Sequence, residues 1–108
     1  MVLKVVPFLS LFVCCLSCSS KEASDGSNGN QSVGKTLYEN NCIQCHGTDG
    51  KLGNSGATDL SMSVLSDEES KNRIKNGLNA MPPMAEVLGS EANVDSVVQY
   101  IKFFRSTK

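Results

Sequence analysis

Cys42-Ile43-Gln44-Cys45-His46 sets two thiols three positions apart and an imidazole directly after the second. Residues of these types at this spacing can grip zinc, exchange a disulfide or attach a haem. A structural zinc site needs four ligands, and after Cys42, Cys45 and His46 the sequence supplies no second pair. A thiol-exchange pair should follow a strand inside a βαβ unit, and no such pattern surrounds these cysteines. Haem attachment fits each position for a mechanical reason. Two thiols about one helical turn apart reach the two vinyl groups on one porphyrin edge, and the next residue then brings its nitrogen under the iron. His46 is the one histidine of the 108 residues.

A haem iron held from one side by His46 invites a second ligand far along the chain. Asn76-Gly77-Leu78-Asn79-Ala80-Met81-Pro82-Pro83-Met84 offers two methionines around a proline pair. Consecutive prolines stop a helix and keep the backbone extended, which suits a strap presenting one side chain to a ring. Met81, immediately before Pro82, is the expected distal ligand in preference to Met84, and Met62 is expected to fill core space. A thioether on the iron raises the reduction potential and closes the metal to small ligands.

The elements that must position these groups are legible as helices. Ser32 can cap a first helix running through Val33, Leu37 and Asn41. Ser66-Asp67-Glu68-Glu69 reads as a capping box opening a middle helix to about Asn76, with an apolar face of Ile74 and Leu78 alone. Ser90 caps a last helix whose Val94, Val97, Val98, Ile101 and Phe104 recur at core spacing. Between them, GTDGKLGNSGATDL carries glycines at 47, 50, 53 and 56, the backbone expected where a chain bends closely around a rigid ring.

The first residues are of another kind. Residues 1–17 hold one lysine and an apolar run from Val5 to Leu16, too short for the roughly 17–25 residues of a membrane span. They read as a signal peptide. Leu16-Ser17-Cys18-Ser19 is similar to a bacterial lipoprotein processing site, which implies lipidation of Cys18, although Cys15 stands where that pattern usually has leucine. Cleavage to a soluble periplasmic protein is the alternative. Residues 18–32 form the lipidated N-terminus and a Ser/Gly/Asn-rich linker, and fourteen such residues reach about 20 Å. The chain is thus expected to be exported and tethered to the periplasmic side of a bacterial membrane.

With 40% hydrophobic and 19% charged residues and no tryptophan, residues 33–108 make one small domain with a thin core, a size at which a metal or cofactor usually helps hold the fold. A net charge of −1 leaves no basic excess for nucleic acid. From Val33 onward the chain resembles the class I cytochrome c family, on CIQCH, AMPPM and a terminal helix containing YIKFF. The resemblance implies an all-α fold of three to four short helices around one covalently bound haem c, and Gly34 and Tyr38 packed against the last helix at Val97 and Tyr100 or Ile101. It also implies a backbone carbonyl for the free nitrogen of His46, offered here by Gly56-Ala57 where the family commonly has Gly-Pro.

The expected function is a one-electron carrier without a small-molecule substrate of its own. Its partners would be membrane-bound or periplasmic reductase and oxidase complexes. Lys51, Lys71 and Lys75 are candidates for steering docking, against the plainer reading of a solvated face. The rival is a haem protein with a labile distal ligand that senses small molecules or reacts with peroxide. A two-haem peroxidase is disfavoured by the single Cys-x-x-Cys-His.

Overall fold

The structure, a computed structural model, describes residues 26–106. The signal segment, Cys18 and most of the expected linker lie outside the described residues. Among the described residues five helices follow one another: α1 (Gly26–Asn41), α2 (Ile43–His46), α3 (Asp67–Asn76), α4 (Ala85–Leu88) and α5 (Glu91–Ser106). Single 3-10 turns occupy Asn54–Gly56 and Leu60–Met62. The described residues contain no strand, so the fold is all-α as expected. Helices α1, α3 and α5 carry its bulk, and α2 and α4 are single turns.

α1 begins earlier than the Ser32 cap implied. Ser32 lies inside the helix, where its hydroxyl donates to the Gly29 carbonyl at 2.9 Å. This is the back-bonding of an interior serine, which leaves the backbone N–H groups to the helix itself. Once Tyr38 is anchored in the core, each further turn toward Gly26 needs only propagation, and no proline interrupts it.

The core forms where α1 crosses α5. Tyr38, Val94, Val97 and Val98 are almost completely buried, joined by Ile74, Leu88, Ile101 and Phe104. Burying such a side chain stabilises the fold by about 1.5–3 kcal/mol each. Of the contacts the resemblance implied at the crossing, Tyr100 is present and Val97 gives way to Ser96 and Phe104. Gly34 faces the backbone of Ser96 and Cβ of Tyr100, and the Tyr38 ring meets Tyr100 and Phe104, each at 5.3 Å between centroids. Residues 96, 100 and 104 form one i, i+4 ridge of α5, and that ridge takes the crossing. Val97 and Ile101 belong to the adjacent ridge and turn toward a cavity instead.

α3 opens on the expected capping box. Ser66 N–H donates to Glu69 Oε2 at 2.8 Å, and Glu69 N–H donates to Ser66 Oγ at 3.2 Å. Ile74 is buried, but Leu78 falls beyond the helix and stays half exposed. α3 is held to α5 by Lys102–Asp67 at 2.9 Å, Lys71–Asp95 at 2.5 Å and Lys75–Glu91. Exposed pairs of this kind stabilise little. They do occupy Lys71 and Lys75, so of the three lysines considered for docking only Lys51 is without an ion pair among the described residues. Ser90 Oγ accepts from Asn93 N–H at 3.2 Å and starts α5 where the sequence placed it.

Candidate haem site

Cys42 follows α1 directly, its N–H donating to the Tyr38 carbonyl at 2.8 Å. Its own carbonyl then accepts from His46 N–H at 3.0 Å, so Cys42, Cys45 and His46 share one short helical segment. The tyrosine beneath fixes both ends of that segment, since its hydroxyl also donates to the Gly47 carbonyl at 2.7 Å. Cys42 and Cys45 are not joined to each other as a disulfide. Burial, with Cys45 alongside, pushes the Cys42 thiol up to about 11. That environment does not ready Cys42 to attack as a thiolate.

The glycine-rich loop curls back over α2. Leu52 N–H donates to the His46 carbonyl at 3.0 Å, Leu60 N–H to the Gly50 carbonyl at 2.8 Å, and Asn54 Nδ2 to the Gln44 carbonyl at 3.1 Å. The result places the Thr58 carbonyl 3.1 Å from His46 Nδ1. The expected carbonyl at Gly56-Ala57 is therefore corrected to Thr58: the 3-10 turn at Asn54–Gly56 advances the chain before it reaches the imidazole. A carbonyl only accepts, so Nδ1 is the donor, and in the neutral imidazole the lone pair is then on Nε2.

The methionine strap is fixed at both ends. After α3, Leu78 and Met81 exchange two backbone hydrogen bonds of 3.1 and 2.9 Å around Asn79-Ala80, with Asn79 at φ 54°. Beyond Pro82-Pro83, Met84 N–H donates to the Ile74 carbonyl at 2.9 Å. Met81 and Met84 are both partly buried against the core. Met62 is 62% exposed, so the expectation that it fills core space is not met. The 3-10 turn that carries it buries Ser61 instead.

These pieces converge on one cavity of about 320 Å³. Cys42, Cys45 and His46 line it from the first half of the domain, and Met81 and Met84 from the second. Ile74, Val97 and Ile101 add apolar wall. Two thiols, one imidazole with a free Nε2 and a thioether are a donor set suited to a covalently attached haem. Among the described residues no group of three or more His, Cys, Asp or Glu could hold a bare metal ion. Two contributors were missed in the sequence. Thr58 acts through its backbone and leaves no residue-type signal, while Arg73, which also lines the cavity, sits one turn after the capping-box Glu69 with nothing in its spacing to mark it.

An all-α fold closing such a cavity on Cys-x-x-Cys-His defines a small class I cytochrome c domain. The family model for cytochrome c oxidase, cbb3-type, subunit III matches residues 29–101, well over half of the sequence, and the chain belongs to that family. A cbb3-type cytochrome c oxidase subunit CcoP of Rubrivivax gelatinosus is 34% identical over 74 residues, covering 64% of this chain and 24% of that protein. The chain thus spans about a quarter of that relative's length. Membership of that family makes it a covalent haem c protein and an electron carrier.

Proposed function

We propose that residues 33–108 form a domain passing single electrons between redox proteins on the periplasmic side of a membrane, with haem held by Cys42 and Cys45 and ligated by His46 and Met81. The observation that carries this reading is the convergence of these four side chains on one largely apolar cavity. Each thiol would add its sulfur to one carbon of a vinyl group and its hydrogen to the other, a step that needs no oxidant. When bound, the haem supplies a one-electron Fe(III)/Fe(II) couple. His46 would offer Nε2, held in orientation by the Thr58 carbonyl, which also makes the ring a better donor. Met81 would be the second protein ligand of the iron, keeping out small ligands and favouring the reduced state.

The proposed partner is an oxidase complex at the membrane, or a periplasmic redox protein that feeds one; what supports the oxidase is that the relative is named as a subunit of a cytochrome c oxidase. No described helix is long and apolar enough to cross a membrane. What supports attachment through a lipid on Cys18 is the likeness of Leu16-Ser17-Cys18-Ser19 to a lipoprotein processing site. Cys18→Ser is expected to move the protein from the membrane to the soluble fraction on cell fractionation; unchanged membrane association would refute the anchor.

The axial ligands are tested by the absorption spectrum of the purified haem protein. A low-spin ferrous spectrum with a ferric methionine-to-iron band is expected. Met81→Ala should abolish that band and lower the reduction potential, while Met84→Ala should keep it. The reverse pattern transfers the role to Met84. A high-spin wild-type protein that takes up carbon monoxide readily would favour ligand sensing or peroxide reactivity instead.

A further inference from the structure

We infer that Arg73 is the electrostatic partner of a haem propionate, and that its charge helps set the reduction potential. This rests on the reading of the cavity as the haem site. Of all the lysine, arginine, aspartate and glutamate side chains among the described residues, Arg73 alone lines that cavity. A haem brings two carboxylates into a space otherwise walled by apolar and neutral groups. A planar guanidinium matches a carboxylate in charge and in its paired donors.

Arg73 and Lys51 are the cations that stand outside the ion pairs and side-chain hydrogen bonds of the described residues, and of the two only Arg73 lines the cavity. Lys71, Lys75 and Lys102 are each paired with a carboxylate between α3 and α5. Arg105 donates to the Leu65 carbonyl at 2.9 Å and to Ser63 Oγ at 3.3 Å. Arg73 takes part in no ion pair among the described residues. Glu69, one turn back, is near enough for the Arg73 charge to add to the Ser66 hydrogen bonds in holding its carboxyl below the usual range, but its Oε2 is already engaged by the N–H and hydroxyl of Ser66, both at 2.8 Å. Arg73 itself remains exposed at the solvent margin of the cavity, while its neighbours Ser70 and Ile74, which also line it, are buried. Such a position lets the guanidinium meet a carboxylate at the wet edge of an otherwise apolar ring, where desolvation costs least.

A cation beside the ring favours ferrous over ferric iron, because reduction removes one positive charge from the centre. The test compares haem-bearing wild type, Arg73→Gln, Arg73→Lys and Lys75→Gln by spectroelectrochemistry and by resonance Raman of the propionate bending band. Lys75 is the control: it removes the same charge from the same helix without lining the cavity. Arg73→Gln should lower the potential more than Lys75→Gln and move the propionate band. Arg73→Lys should recover part of the potential, and Lys75→Gln should leave the band in place. An unmoved band in Arg73→Gln overturns the inference whatever the potential does. Haem that stays with the chain on denaturing electrophoresis keeps the thioether reading intact, so that failure would fall on Arg73 alone.

Discussion

Gly34→Ala is expected to destabilise the haem-bearing protein by about 2 kcal/mol, although alanine is the better helix former. Two opposing effects set this figure. Inside a helix, replacing glycine by alanine is worth up to about 1 kcal/mol in favour of the variant. Against it, a Cβ at position 34 would stand 2.0 Å from the Ser96 carbonyl oxygen and 2.6 Å from its carbon. Those atoms are α5 backbone and cannot rotate away, so α1 and α5 must separate. Separation loosens the rings of Tyr38, Tyr100 and Phe104, which meet in pairs at 5.3 Å. Overpacking of this sort costs about 1–3 kcal/mol or more, and it outweighs the propensity gain.

Gly29→Ala supplies the control on the same helix, because a Cβ there meets nothing within 4 Å. It should leave stability unchanged or raise it by up to about 1 kcal/mol. Guanidinium unfolding of both variants decides the matter. Equal behaviour would mean that the helix crossing does not depend on the missing side chain.

What the sequence disclosed and what it concealed divide along physical lines. Covalent spacing and helical periodicity are local, and they located the α2 segment, the capping box at Ser66 and the buried stripe of α5. The start of α1 was misplaced because a serine can cap a helix or bond back within one, and composition does not distinguish the two. The pairing at the crossing was half right: Tyr100 was foreseen, but the choice between adjacent ridges of α5 depends on the rotation of the helix about its axis. Thr58 was invisible, since a backbone carbonyl has no residue identity and its position follows from a loop whose four glycines all take positive φ. Lys71 and Lys75 looked free because their partners, Asp95 and Glu91, lie some sixteen or more positions away on another helix.

The largest spectroscopic effect outside the ligands themselves is expected from Gly77→Ala. Gly77 has φ 72° and ψ 174°, a conformation essentially closed to residues with a side chain and costing about 1–3 kcal/mol when forced. A Cβ there would also stand 2.4 Å from the Met81 carbonyl oxygen, 2.8 Å from the Pro82 carbonyl carbon and 2.9 Å from Pro83 N. Met81 O accepts the Leu78 N–H at 3.1 Å, so the displaced carbonyl breaks one of the two bonds that close the Asn79-Ala80 turn. The proline pair cannot absorb the movement, because its φ angles are fixed and it has no N–H to form new bonds. The shift therefore passes along the strap to Met81. Gly77→Ala should lose about 3 kcal/mol of stability and weaken or abolish the ferric methionine-to-iron band, with haem still covalently attached. Gly89→Ala separates strain from displacement: Gly89 has φ 77° and ψ −17°, but a Cβ there meets nothing within 4 Å. That variant should lose about 1–2 kcal/mol and keep the band. A full-strength band in Gly77→Ala, in a protein where Met81→Ala removes it, would show that the ligand's position is held by the hydrogen bond from Met84 to Ile74 and the packing around it, not by the close approach at Gly77.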